Sequence, residues 1–343
     1  MQGTLQAKSK VDPLLERLRG KKRVLIMSHT NPDPDSMGGG FGMRYLIEQV
    51  LEIPTTFGYR GNIFRAENVE MVNTLGLGMV AEGELDIGRF DGLVVVDTQP
   101  GFGHTRLPQD MVVDGVIDHH VPPPKVVKAE GFVDVRTDVG ATCSIVAGYM
   151  MELGIEIPSR VATALFYGIR TDTADLSRNT SKLDEEAYLW LMARCDRSAL
   201  ARISNPTLPK DYFSAFRTAM NATRIYGKVI VCSLGQTSNP QIVAEMADLL
   251  LRLHGCEWVV AGGLYDDIYF ISVRARDYDR DAWALLDQVL KGEGSFGGHG
   301  TVGGGSVPIK DPSPRGVRRL ERKLVRNLLE ALGESQTTPV SLA

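Results

Sequence analysis

The sequence predicts an α/β protein: a larger domain built on a parallel sheet, then a smaller α/β domain, with a cleft between them. Three observations carry that expectation. Short continuous apolar runs at residues 23–28 (RVLIMS), 93–96 and 112–117 alternate with helical stretches and stop at polar residues, as strands buried on both faces do. The alternation restarts after a proline-interrupted segment, NPTLPKD, at residues 205–211. A length of 343 residues suits two domains of the usual ~100–200 residues each.

The elements follow in order. Pro13 opens a short amphipathic helix to residue 18, proline being well suited to a first helical turn. The strand 23–28 leads through a loop with two prolines into a glycine-rich helix at about 36–51. Strands 93–96 and 112–117 come next, then helical patterns at 141–153, 159–169 and 184–194. The first domain is read as 1–200 and residues 201–225 as a helical connector. The second domain, 226–332, begins with a strand at 228–233, a helix at 240–253, and strands at 257–264 and 268–275. A helix at 280–290, a glycine-rich turn (GEGSFGGHGTVGGGSVP) and a basic helix at 313–332 complete it, leaving 333–343 as a loose tail.

Composition excludes several classes. Hydrophobic residues make up 43% and charged residues 23%, enough for ordinary cores and against wholesale disorder. Lys and Arg total 38 against 42 Asp and Glu, a net charge of −4, which argues against a face for long duplex DNA but leaves room for a short nucleotide held by local cations. The four cysteines are scattered without a C-x-x-C pair, fitting a reduced, cytoplasmic chain. The first 22 residues lack the apolar core of a signal peptide, and no apolar run approaches the ~20 residues of a membrane helix.

Chemistry concentrates after the strands of the first domain. His29, Asp33 and Asp35 follow the first one in HTNPDPDS; Asp97 ends LVVVD; Asp118, His119 and His120 end VIDHH; Asp172 follows a helical segment in GIRTDT. Loops at the carboxyl ends of parallel strands share one edge of the sheet, so these residues are expected to meet there. Asn31 and Asp33 precede prolines and are expected to be extended, with Asp33 and Asp35 aimed to one side by the strand period of two. A single aspartate at a strand end is commonly a helix cap. The joint pattern points instead to metal binding, because four aspartates balance two divalent cations. Oxygen-rich donors with imidazole suit manganese or magnesium, and two such ions suit hydrolysis of a phosphate ester.

These motifs resemble the DHH family of phosphoesterases, whose tripeptide is Asp118-His119-His120 and whose first motif, His-x-Asn-Pro-Asp-x-Asp, matches His29 to Asp35. The resemblance covers nearly the whole chain. It implies that His29 and Asp33 hold one Mn2+, that Asp35, His119 and Asp172 hold the other, and that Asp97 bridges them, with Mg2+ as the alternative ion. A water between the ions would be the nucleophile, and His120 would contact the phosphate and assist the leaving group. Asp118 would orient a histidine from behind. The second half resembles the smaller domain of such proteins: Gly297-Gly298-His299 matches its Gly-Gly-His motif, although Val302 and Gly303 stand where two alanines are familiar. Arg274 matches an arginine that holds the substrate's terminal phosphate. The implied activity is hydrolysis of short oligonucleotides (nanoRNA) or linear dinucleotides such as pApA to mononucleotides, joined by phosphatase activity on 3′-phosphoadenosine 5′-phosphate. A phosphomonoesterase, a polyphosphate- or pyrophosphate-type hydrolase, a cyclic-dinucleotide phosphodiesterase and a nucleotide sensor are the alternatives, with the Gly-Gly-His domain and Arg274 weighing against inorganic pyrophosphate as too small to need a second anchoring surface. A homodimer is compatible with the sequence.

Other signals are weaker. Gly292-x-Gly294-x-x-Gly297 has the dinucleotide-fold spacing but follows a helix, where that motif needs a preceding strand. The run Arg315, Arg318, Arg319, Arg322, Lys323 and Arg326 reads as a solvated face, with a phosphate-tracking patch as the minority reading. His104 and His254 read as structural.

Overall fold

The computed structural model describes residues 9–103, 105–108, 111–122, 131–277, 279–290 and 292–343. The chain divides into two compact units, Met1–Pro206 and Thr207–Ala343. The boundary falls inside the segment expected as a connector, which holds the end of one helix, a whole second helix and the start of a strand.

The first unit runs α1 (Asp12–Leu18), β1 (Val24–Met27), α2 (Pro34–Leu51), β2 (Thr55–Tyr59), α3 (Ala66–Leu75), β3 (Val80–Ala81), β4 (Gly92–Val96), β5 (Gly115–Asp118), β6 (Phe132–Val135), α4 (Thr142–Leu153), α5 (Ser159–Asp172), α6 (Lys182–Met192) and α7 (Arg197–Ser204). Its six strands pair in the order β3-β2-β1-β4-β5-β6, all parallel. The order reverses between β1 and β4, and the crevice at such a reversal is where open α/β sheets bind ligands. β1 and β4 are buried along their whole length, as their unbroken apolar runs require. Strands β2, β3 and β6 have no such run and were not expected. They are short and only partly buried; β3 is two residues long, and Thr and Gly in β2 and Asp134 in β6 interrupt the apolar pattern.

Helix α2 is buried along most of its length, and its glycines serve close packing. A Cβ on Gly38 would lie 2.6 Å from the Ala164 carbonyl oxygen of α5, and one on Gly40 would lie 2.3 Å from the Phe57 ring. Side chains there would push α2, and the site at its N-terminus, away from the sheet and from α5.

The second unit comprises α8 (Lys210–Ala222), β7 (Thr223–Tyr226), β8 (Val229–Gln236), α9 (Gln241–Leu250), β9 (Trp258–Tyr265), β10 (Ile268–Ala275), α10 (Ala282–Leu290), β11 (Ser295–His299), β12 (Val302–Pro308), α11 (Pro314–Ala331) and β13 (Val340–Ser341). Its sheet is ordered β11-β12-β10-β9-β8-β7-β13, with β8 and β9 parallel and the other neighbours antiparallel. Alternate residues of β8 face two cores: Val229 and Val231 pack with α10 and α11, Ile230 and Cys232 with α8 and α9. The stretch expected as a glycine-rich turn is a hairpin of two strands, β11 and β12. Residues 333–343, read as a tail, contribute β13 against β7. Among the described residues no helix is long and apolar enough to cross a membrane.

Candidate metal centre

Side chains from five segments converge at the carboxyl ends of β1, β4 and β5. His29 follows β1. Its Nδ1 lies 3.1 Å from the Thr30 carbonyl oxygen, which can only accept, so Nδ1 carries the proton. Nε2 is thereby turned to Asp33 Oδ1 at 3.8 Å and Asp97 Oδ2 at 3.5 Å. His119 repeats the arrangement: Nδ1 donates to the Val139 carbonyl at 3.2 Å, and Nε2 lies 3.3 Å from Asp172 Oδ2, 3.7 Å from Asp97 Oδ1 and 3.9 Å from Asp35 Oδ2.

Two local expectations need correction. Asn31 is left-handed (φ 59°), not extended; its side-chain oxygen accepts from Asn62 N–H, and Asn tolerates this conformation better than most residues. Asp33 and Asp35 do not extend to one side together. Asp33 is the N-cap of α2 and accepts from Ser36 N–H at 3.0 Å, whereas Asp35 lies in the first helical turn. The buried Asp35 carboxylate instead accepts from the amides of Thr142 (2.7 Å) and Cys143 (2.9 Å) at the start of α4. The two aspartates thus serve opposite ends of the cluster.

Asp97 stands between. It is 1% exposed and left-handed at φ 59°, an uncommon conformation for a residue other than glycine. Its Oδ1 accepts from the Thr142 hydroxyl at 2.8 Å. Asp118 lies behind the cluster, fully buried: one oxygen accepts from His120 Nδ1 at 2.8 Å and from His119 N–H at 2.9 Å, the other from Gln99 Nε2 at 2.7 Å. His120 Nδ1 is also 3.7 Å from Asp97 Oδ1.

Three sets of donor atoms lie within 4.8 Å of one another: His29, Asp33 and Asp97; Asp35, His119 and Asp172; and Asp97, His119 and His120. Burial and the carboxylates of Asp97, Asp172 and Asp33 push the Asp35 acid well above its usual range. Burial, opposed by His119 but helped by Asp33 and Asp97, pushes Asp172 up to about 6. Burial disfavours the His29 cation, but Asp33 and Asp97 outweigh it and hold the pKa well above the ordinary value. The cluster therefore demands positive charge. Divalent cations answer the same demand while favouring ionised carboxylates and neutral imidazoles, and both histidines already present Nε2 with Nδ1 fixed on a carbonyl. The donor set fits divalent cations.

Sequence reasoning missed several supports. Thr142 touches both Asp97 and Asp35, and Gln99 ties Asp118 to the His120 carbonyl. Buried Asp184 accepts from Gly140 N–H at 2.8 Å and from the Ser144 hydroxyl, fixing the turn that carries Thr142. Polar residues after a strand or at a helix start were the only signal.

In the second unit, strand register puts Arg274, Val302 and His299 on one rung of three neighbouring strands. Arg274 is 7% exposed, and its Nε pairs with Asp248. Its Nη1 donates to the Ser272 hydroxyl at 2.8 Å and to the Val273 and Gly303 carbonyls. A phosphate would compete with Asp248 for that fork. Gly297 leaves open space at the Cβ position, while Gly298 is left-handed (φ 153°) and backs onto the Val302 carbonyl. A Cβ on Gly303 would meet the tip of Leu286 at 2.8 Å and the Ala282 carbonyl oxygen at 3.2 Å, so an alanine there would require Leu286 to shift. The His299 side chain and His104 lie outside the described residues; His254 is exposed in the turn after α9. Gly292 and Gly294 lead into β11 rather than a helix.

Fold and site together define a two-unit α/β protein with a carboxylate–imidazole centre at a sheet switch point. Residues 23–169 match the DHH family, N-terminal domain, so the first unit carries a DHH family domain. An uncharacterized protein of Methanocaldococcus jannaschii is 33% identical over 321 residues, covering 92% of this chain; the chain spans 65% of that relative's length. A probable manganese-dependent inorganic pyrophosphatase of Lactococcus lactis is 24% identical over 300 residues, 80% of this chain and 89% of that protein. Among solved structures, an exopolyphosphatase-related protein from Bacteroides fragilis superposes with a TM-score of 0.73 at 14% identity, over 96% of this chain and 99% of that one. RecJ of Thermus thermophilus, in complex with Mn2+, gives 0.56 at 16% identity over 92% of this chain and 54% of its own. These two likenesses are of fold.

Proposed function

We propose that the chain is a manganese-dependent phosphodiesterase that hydrolyses short oligonucleotides or linear dinucleotides to mononucleotides, with 3′-phosphoadenosine 5′-phosphate as a further substrate. The observation that carries the reading is the paired donor set around Asp97: His29 and Asp33 on one side, Asp35, His119 and Asp172 on the other. The manganese named for the Lactococcus lactis relative supports the choice of ion. Two such ions would supply Lewis-acid charge to the reacting phosphoryl group and lower the pKa of the attacking water.

The chain's own residues do the rest. Thr142 and the α4 amides fix Asp97 and Asp35 before substrate arrives, so little reorganisation remains at the moment of reaction. His120 is disfavoured as a cation by burial, yet the hydrogen bond from its Nδ1 to Asp118 and the charge of Asp97 raise it to about 9. A protonated His120 can pass its proton to the departing oxygen. Gly297 and Gly298, with His299 and Arg274, are proposed to hold the far end of the substrate, glycine letting backbone amides approach an anion.

The second reading is hydrolysis of inorganic pyrophosphate, favoured by the relative that matches 80% of this chain. A manganese assay on pApA, a cyclic dinucleotide, 3′-phosphoadenosine 5′-phosphate and pyrophosphate, run side by side, separates them. Mononucleotide released fastest from pApA is expected. Phosphate from pyrophosphate alone overturns the proposal, and binding without turnover of any substrate makes the protein a sensor.

A further inference from the structure

The second unit holds a cavity of about 650 Å3 between α11 and strands β7 and β8, away from the rung that carries Arg274. Arg318, Arg322 and Arg326 line it from α11, and Arg224 and Tyr226 line it from β7. All four arginines are exposed. The three on the helix are spaced i, i+4, i+8, an arrangement in which like charges destabilise a helix. Two carboxylates share the lining with them: Glu330, one turn beyond Arg326 at 4.0 Å, and Glu321, three residues beyond Arg318. Glu321 accepts from the Tyr269 hydroxyl at 3.1 Å on the sheet, and four arginines against two glutamates leave the lining with a positive excess. A row of cations directed into a concavity focuses potential that a solvated helix face would dissipate.

We propose that this groove binds the phosphodiester backbone of a single-stranded oligonucleotide. Four helical residues advance about 6 Å. That matches the separation of successive phosphates along an extended nucleotide strand and exceeds that in a phosphoanhydride chain. Guanidinium forks suit phosphate oxygens, and Tyr226 offers a ring on which a base stacks. The chain's net charge of −4 gives no general attraction for a polyanion, so the attraction is local. The proposal does not depend on the catalytic reading.

The test is fluorescence anisotropy of a labelled oligouridylate with the full-length protein in EDTA, where hydrolysis is not the readout. Arg318→Gln with Arg322→Gln is compared with Arg315→Gln with Arg319→Gln, which removes equal charge from the same helix outside the groove. The groove pair is expected to weaken binding at least tenfold and to flatten the salt dependence by about 1.4 log units per decade, the value for two single-strand phosphates. The control pair should change affinity less than threefold. Arg322→Gln alone, expected to cost about threefold, serves if the double variant does not fold. Equal losses in both pairs, or none in either, overturn the groove. Displacement by tripolyphosphate at lower concentration than by unlabelled oligonucleotide overturns its assignment to a nucleotide strand.

Discussion

The centre in the first unit and the Arg274 rung in the second treat buried charge in opposite ways. Around Asp97 the fold gathers aspartates with too few cations, and the pKa values of Asp35, Asp172 and His29 are all pushed up. Around Arg274 a buried guanidinium is already matched by Asp248 and by carbonyl oxygens. An unbalanced site must import its countercharge, whereas a balanced one must give up a partner to bind anything. The first arrangement suits resident metal ions. The second suits a substrate phosphate that arrives and leaves.

The largest effect should come from Asp97, which lends one carboxylate oxygen to each side of the centre. Asp97→Ala is expected to lower hydrolysis by about a thousandfold or more and to weaken Mn2+ binding at both sides by calorimetry, while the circular dichroism spectrum stays native. Asp172→Ala should weaken only the Asp35–His119 side. Full activity in Asp97→Ala would remove the centre from the mechanism.

Asp184 comes next. It touches no member of the centre, yet several donors depend on it, including Gly140 N–H and Ser181 N–H. Asp184→Ala would leave the buried Gly140 amide and Ser144 hydroxyl without an acceptor, at a cost of about 2–4 kcal/mol read by chemical denaturation. Because the turn it holds carries Thr142, kcat should fall along with stability. A drop in stability with kcat unchanged would separate the turn from the centre.

What the sequence made legible follows the same physics. The parallel sheet could be read because β1 and β4 are buried on both faces and so consist of unbroken apolar residues. His29, Asp97 and His119 stood out because each follows such a run. Thr142, Gln99 and Asp184 could not be singled out, since a polar residue at a helix start is ordinarily a cap and its long-range partner is invisible in one dimension. The β11–β12 hairpin was hidden by its glycines, which disfavour strands except where a neighbour approaches closely, as Leu286 does at Gly303. The divergence of Asp33 and Asp35 was missed because proline after Asp33 served as the first residue of a helix rather than as part of an extended strand.

On the other side of the comparison, Asp248→Asn removes the carboxylate that competes for Arg274. If Arg274 receives phosphate, KM should fall about threefold with kcat unchanged, since a neutral amide holds the guanidinium less tightly. An unchanged KM, with only a loss of stability, would make Arg274 a structural cation.

The smallest effect concerns Ser28, between β1 and His29. Its hydroxyl is buried and has no hydrogen-bond partner among the described residues. A buried hydroxyl left unmatched costs free energy that a methyl group does not, so Ser28→Ala should leave stability unchanged or raise it by up to about 1 kcal/mol. That outcome would make the residue a passive spacer before His29. A clear loss of stability in the presence of Mn2+ but not in EDTA would instead show that the hydroxyl acquires a partner when the ions bind, extending the centre by one residue toward β1.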